Sequence, residues 1–141
     1  MATATYLIDN SALARTRTKA VVKARLEPLI LQGLAATCSI TELERLFSAR
    51  SGVEHSEWRE EATLRFARAE IDQHVLDRAV EVQGLLADRG QHRGANVPDL
   101  VVAATAEHAG LTVLHYDADF DLIATVTGQP TEWVVPRGSI D

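Results

Sequence analysis

The sequence predicts an α/β fold with a short parallel sheet covered on both faces, and three observations point there. Short β-rich apolar runs alternate with longer helical segments along the 141 residues. Strands separated by helices are the pattern that parallel pairing requires, because a parallel crossover needs a long connection. The most apolar helical segment, residues 97–109, is apolar almost all round, so it must be buried on most faces.

The elements follow in order. Residues 5–8 form a β-rich run ending at Asp9. Residues 19–32 read as a helix whose apolar stripe is Val21, Val22, Leu26, Leu29 and Ile30. Pro28 is expected to kink or divide it, and Gly33 to stop it. Residues 34–38 read as a short buried strand. Ser39 opens a helix to about Arg50, broken at Ser51-Gly52. Residues 55–66 read as a second, charge-rich helix. Its ridge of Trp58, Ala62, Leu64 and Phe66 either packs into the core or docks a partner helix. Residues 72–89 carry Val75, Ala79, Val82 and Leu86 at helical spacing, with Gly90 as the stop. After a polar loop at 91–95, Asn96 starts the apolar helix and Gly110 ends it. Residues 111–115 read as a third strand, 119–125 as a short helix and 133–135 as a final strand. Ligands in such sheets sit at the carboxyl ends of the strands, so the search for chemistry begins there.

Composition narrows the class. Apolar residues make up 46% and charged residues 24%, as in an ordinary soluble domain, and the length suits one domain spanning 1–141. The lone cysteine, Cys38, can form no internal disulfide, and no Cys/His spacing resembles a zinc site. A cytoplasmic location is expected, with no signal peptide and no run long enough to span a bilayer. The net charge of -6 argues against a nonspecific nucleic-acid binder. Between residues 15 and 25, however, Arg15, Arg17, Lys19, Lys23 and Arg25 occur without an acid. That stripe either holds phosphates or is a solvated helix face. Arg93, in the glycine-containing loop before Asp99, is a second substrate-contact candidate. With 5% aromatic residues, base stacking is not the expected mode of binding, and Trp58 and Trp133 read as packing or interface residues.

Four carboxylates draw the chemistry together. Asp9 follows the first strand and Asp117 the third, so both belong to one rim of the sheet. Glu42 lies in the first turn after the second strand, at the same rim. Asp99 lies in the first turn of the apolar helix, where topology forces its position less. Carboxylates gathered in one place repel one another and stay ionised only beside a cation. Oxygen ligands suit Mg²⁺ or Mn²⁺ better than zinc. A hard cation held by acids is a design for phosphodiester hydrolysis, because it activates water and neutralises phosphate charge. Each acid also has a plainer reading. Ser39-Ile40-Thr41-Glu42 matches a capping box. Asn96 with Asp99 matches a capped helix start. Asp9 and Asp117 match strand-end turn residues. Capping and ligation can coexist, since a first-turn position is rigid.

The same residues carry a resemblance. Tyr6-Leu7-Ile8-Asp9-Asn10-Ser11-Ala12, Ser39-Ile40-Thr41-Glu42-Leu43, Pro98-Asp99 with the small apolar run to Ala106, and Leu114-His115-Tyr116-Asp117-Ala118-Asp119-Phe120-Asp121 resemble, in order, the motifs of PIN-domain ribonucleases of the VapC-toxin type. The resemblance spans residues 6 to 121 and keeps all four acidic positions. It implies a three-layer α/β/α sandwich around a short parallel sheet, and a Mg²⁺- or Mn²⁺-dependent endoribonuclease. It further implies a toxin that cuts a specific structured RNA, such as transfer or ribosomal RNA, and so arrests translation. A homodimer and a small cognate antitoxin that silences it are implied too. By this resemblance Asp9 and Asp99 are metal ligands, Glu42 is a ligand or a water-positioning acid, and Asp117 completes the set. Asp119 either joins them or caps the following helix. Ser11 either bonds an acid or a metal-bound water or starts a helix. Arg15, Lys19 and Arg93 are the candidate RNA contacts, and Asp121 and Glu44 read as surface charge. A receiver domain would need an acid pair after the first strand and a late lysine, and a haloacid-dehalogenase-type phosphatase would need Asp-x-Asp there. Asn10, Ser11 and the absence of lysine beyond Lys23 fit neither. The remaining alternative is a PIN-like scaffold that binds RNA or protein without cutting.

Overall fold

The computed structural model describes residues 3–141. Five strands form one sheet: β1 (Tyr6–Ile8), β2 (Ala35–Thr37), β3 (Ala67–Arg68), β4 (Thr112–His115) and β5 (Thr131–Trp133), in the order β3-β2-β1-β4-β5. Every pairing is parallel. The helices are α1 (Asn10–Leu13), α2 (Ala20–Leu31), α3 (Ser39–Phe47), α4 (Gly52–Arg65), α5 (Gln73–Ala87), α6 (Val97–Ala109) and α7 (Asp119–Thr127).

Alternation along the strands sorts side chains into two cores. Leu7, Ala36 and Val113 face the side covered by α5, α6 and α7, where they meet Val82, Leu86, Val102, Phe120 and Ile123. Ile8, Ala35 and Leu114 face the opposite side and meet Ala12 and Leu13 of α1 and Val22, Leu26 and Ile30 of α2. The expected three-layer α/β/α arrangement is therefore present. β1 sits at the centre, with Tyr6 opposite Ala35 on one flank and Thr112 on the other. The chain moves outward from β1 in both directions, which makes the carboxyl ends of β1 and β4 a topological switch point.

Several local expectations need correction. Pro28 leaves α2 undivided; Leu26 and Ile30, buried on either side of it, hold the helix against the sheet through the position where a donor is missing. The helix expected at 55–66 begins at Gly52, because the Ser51 side chain accepts the Glu54 N–H at 3.1 Å. The two-residue β3 is not expected from the sequence, and the short α1 bears out the reading of Ser11 as a helix start. The last strand lies at Thr131–Trp133, two residues before the expected one, and is set by pairing with Val113, Leu114 and His115.

Candidate metal centre

The switch point holds Asp9 and Asp117. Asp9 leaves β1 with its N–H donating to the Leu114 carbonyl at 2.9 Å, and it is the N-cap of α1, with Oδ2 accepting the Ser11 N–H at 2.9 Å. Ser11 Oγ in turn accepts the Tyr116 N–H at 2.8 Å, so the loops after β1 and β4 are tied together. Ser11 is thus a strut between the two acid-bearing loops. Asp9 is 3% exposed, and its Oδ1 is buried with no hydrogen-bond partner.

Asp99 arrives from the opposite side. Asn96 caps α6 as expected, its Oδ1 accepting the Asp99 N–H at 3.0 Å. The Asn96 N–H donates to Asp119 Oδ2 at 3.1 Å, which locks the start of α6 to the start of α7. The preceding loop presses on α7 at Gly94, where a Cβ would fall 2.6 Å from Leu122 Cδ2. Asp119 therefore does not cap its own helix. One oxygen from each of Asp99, Asp117 and Asp119 lies within 4.8 Å of the others. Asp99 is 4% exposed, and its Oδ2 has no partner.

The electrostatics of this corner are uncompensated. Burial pushes Asp99 up to about 9, reinforced by the Asp119 carboxyl beside it and the charges of Asp9 and Asp117. Asp9 is raised as well, first by burial, against the cap bond from Ser11, with a further push from Asp117. An α-helix N-terminus offers only partial positive charge, too little for this many acids. Two orphaned buried carboxylate oxygens beside a three-carboxylate cluster fit a hard divalent cation, whose oxygen preference matches the all-carboxylate donor set. Asp9, Asp99, Asp117 and Asp119 are the residues that could hold it.

Glu42 is placed differently. Cys38, not Ser39, is the N-cap of α3 and makes no side-chain cap bond, so the capping box does not form. Instead Arg68, at the carboxyl end of β3, donates to Glu42 Oε1 at 2.8 Å and to Ser39 Oγ at 3.1 Å. Glu42 stands at the expected rim with its charge already paired.

Two acids read as surface charge have work at this rim. Glu44 is raised by burial and then by Asp9 and Asp117, which places it within their field. The Asp121 carboxylate accepts the Trp133 Nε1–H at 3.0 Å, and Trp133 packs edge-on against His115 with centroids 5.0 Å apart. His115, fully buried, accepts the Asp117 N–H on Nδ1 at 3.1 Å. Burial pushes it down to about 4, so the ring stays neutral and able to accept. No local spacing marks Asp121 for this role, since its partner Trp133 comes from β5, and the His115 bond to Asp117 two residues on depends on the burial that keeps the ring neutral.

The candidate RNA contacts separate as well. Arg15 donates through Nε to the Asp141 carbonyl at 3.0 Å and lies over Tyr116, 4.8 Å from the ring centroid. Lys19 pairs with Asp141 Oδ2 at 3.2 Å. Arg93 is exposed in its loop. No described helix is long and apolar enough to cross a membrane.

Comparison with known proteins agrees with this geometry. The PIN domain family matches residues 6–126. Ribonuclease VapC21 of Mycobacterium tuberculosis is 46% identical over 143 residues, covering 97% of this chain and 99% of that protein. Ribonuclease VapC51 of the same species is 48% identical, covering 96% of this chain and 97% of that one. In fold, the chain superposes on a protein in the crystal structure of DNA-bound VapBC from Salmonella typhimurium with a TM-score of 0.75 at 16% identity, over 94% of this chain and all of that one.

Proposed function

The chain belongs to the PIN-domain family, and from that premise we propose that it is a divalent-metal-dependent endoribonuclease, the toxin of a toxin–antitoxin pair. Its substrate is a specific structured RNA, a transfer or ribosomal RNA whose cleavage arrests translation. Its partners are a cognate small antitoxin and a second copy of the chain. The relatives named above are called ribonucleases, and several proteins of like fold come from structures of toxin–antitoxin complexes. The observation that carries the reading is the cluster of Asp99, Asp117 and Asp119 with buried Asp9 beside it and no ion pair to any of the four among the described residues.

Asp9, Asp99, Asp117 and Asp119 would hold Mg²⁺ or Mn²⁺, and Glu42, at the same rim, would position a water. When bound, such an ion supplies Lewis acidity toward a phosphate oxygen and lowers the pKa of water. The protein's own contribution is rigidity. The Asp9 cap, the Ser11 strut, the Asn96–Asp119 tie and the neutral His115 fix the carboxylates on element ends rather than on free loops, which is how a site holds productive geometry.

The test is cleavage of total cellular RNA by antitoxin-free protein with Mg²⁺, with Mn²⁺ and with EDTA, beside an Asp99→Asn control. Discrete fragments that require metal and vanish in the variant are expected, and their size shows the substrate. Folded protein that cuts nothing under any metal would turn the reading toward a binding scaffold.

A further inference from the structure

Three cations with no carboxylate partner among the described residues, Arg17, Lys23 and Arg45, line one cleft. It has a volume of about 740 Å³ and runs between the α1–α2 segment and the α3–α4 pair. Its walls include Arg17, Lys23, Arg45, Trp58 and Arg65, and one end is Asn10, the residue next to Asp9. Asn10 Oδ1 is buried there without a hydrogen-bond partner. The cleft's two acids are already engaged: Arg65 bonds Glu61 at 2.6 Å and Glu27 at 2.8 Å. Arg17, Lys23 and Arg45 make no ion pair among the described residues. Arg17 and Arg45 instead lie against the Trp58 ring, 5.3 Å and 5.6 Å from its centroid.

That mode of anchoring matters. A carboxylate neutralises the guanidinium it holds, whereas an aromatic ring positions it and leaves its charge and donors available to another group. Lys19 and Arg25, neighbours in sequence, are paired with Asp141 and Glu132, whereas Arg15 bonds only backbone carbonyls and lies over Tyr116. The fold thus pairs Lys19 and Arg25 and leaves Arg17 and Lys23 with their charge, lining a cleft that also includes Asn10, the neighbour of Asp9.

We propose that this cleft is the channel for the RNA strand flanking the cut, with phosphates meeting Arg17, Lys23 and Arg45 and Trp58 acting as the wall that presents the guanidinium groups. The inference rests on the ribonuclease reading above and adds to it the path of the substrate. In an acidic protein such a channel also gives orientation, since phosphate is repelled from the surrounding surface and attracted along one line.

The experiment measures anisotropy of a fluorescein-labelled hairpin RNA against full-length protein in EDTA, so that nothing is cut, across a salt series. Arg17→Gln with Lys23→Gln should weaken binding about tenfold or more and lower the salt slope by about 1–2. Lys19→Gln with Arg25→Gln should change affinity less than about threefold, because those groups are already paired. Trp58→Leu should weaken binding by a smaller factor; should it fail to fold, the exposed Arg17 and Lys23 pair still decides. The channel is overturned if the Arg17/Lys23 variant keeps its affinity, if the Lys19/Arg25 variant loses as much, or if the unaltered protein has no affinity for RNA. An Arg17/Lys23 variant that keeps RNA but loses its antitoxin would make the cleft a protein-docking face instead, and that also overturns it. Binding that follows the expected pattern without metal-dependent cleavage would overturn the nuclease reading and leave the channel standing.

Discussion

Asp99 and Glu42 are both first-turn acids of helices at the same rim of the sheet, yet their surroundings are opposite. Glu42 bonds Arg68, whose side chain is 55% exposed to solvent. Asp99 is buried among Asp9, Asp117 and Asp119, with an orphaned oxygen and no cation. The Glu42 corner is electrostatically complete by itself. The Asp99 corner is complete only when something positive is added, and that difference separates the two acids more sharply than position in sequence does. An unpaired buried carboxylate destabilises a fold, so its retention calls for a use.

The largest expected effect follows from removing that charge. Asp99→Asn should abolish metal-dependent RNA cleavage and, in EDTA, raise stability on the order of 2 kcal/mol at neutral pH, since it relieves a buried and repelled carboxyl. Saturating Mg²⁺ or Mn²⁺ should reverse the ranking. The unaltered protein gains roughly 2.7 kcal/mol when the metal is at a hundred times its Kd, and the variant gains little. Thermal melts with and without metal read both. Equal melting temperatures in EDTA would mean that Asp99 is not under strain.

The pH dependence sharpens the same contrast. Asp99 holds its proton up to about 9 in the fold but only to 3.8 when unfolded. The folded state therefore binds more protons across that window, and stability falls as pH rises through it. His115 acts with the opposite sign: held down to about 4 against 6.5 unfolded, it makes stability rise with pH over that narrower range. The two oppose each other between about 4 and 6.5. Above that range only the Asp99 effect remains. Denaturant melts in EDTA should thus show stability declining from near neutrality toward pH 9, and bound metal should flatten the decline. A flat profile in EDTA would show that the cluster is not uncompensated.

The acid-bearing skeleton was legible in sequence because its cues are local. Strand runs ending at Asp9 and Asp117, the Asn96 cap and the wholly apolar α6 each lie within a few residues, and they place three of the acids correctly. What could not be read depends on partners far along the chain. β3 is two exposed residues that exist as a strand only through Ala36 and Thr37, and with it comes Arg68, the group that completes Glu42. Ser39 looked like a cap until Arg68 took its hydroxyl. Asp121 reads as solvated, but its partner is Trp133 of β5, twelve residues on. Arg15 and Lys19 looked free, yet residue 141 returns to them. Local capping and periodicity are visible in a window of a few residues; the compensation of charge is a tertiary property.

The smallest effect bears on Glu42 itself. Arg68→Gln removes an exposed partner from a surface ion pair, so the melting temperature in EDTA should move by no more than about 1 kcal/mol equivalent. The informative readout is metal affinity by calorimetry. If Glu42 belongs to the metal's surroundings, releasing it from Arg68 adds one uncompensated negative charge near the cation, and at a separation of several ångströms in high dielectric this tightens binding by about twofold. Unchanged affinity would place Glu42 outside the centre and make the Glu42–Arg68 pair a brace between α3 and β3. Glu42→Gln then separates the roles that remain. Loss of cleavage with metal affinity intact assigns Glu42 to water, because a water-positioning acid is needed for turnover and not for binding the ion, whereas a ligand is needed for both.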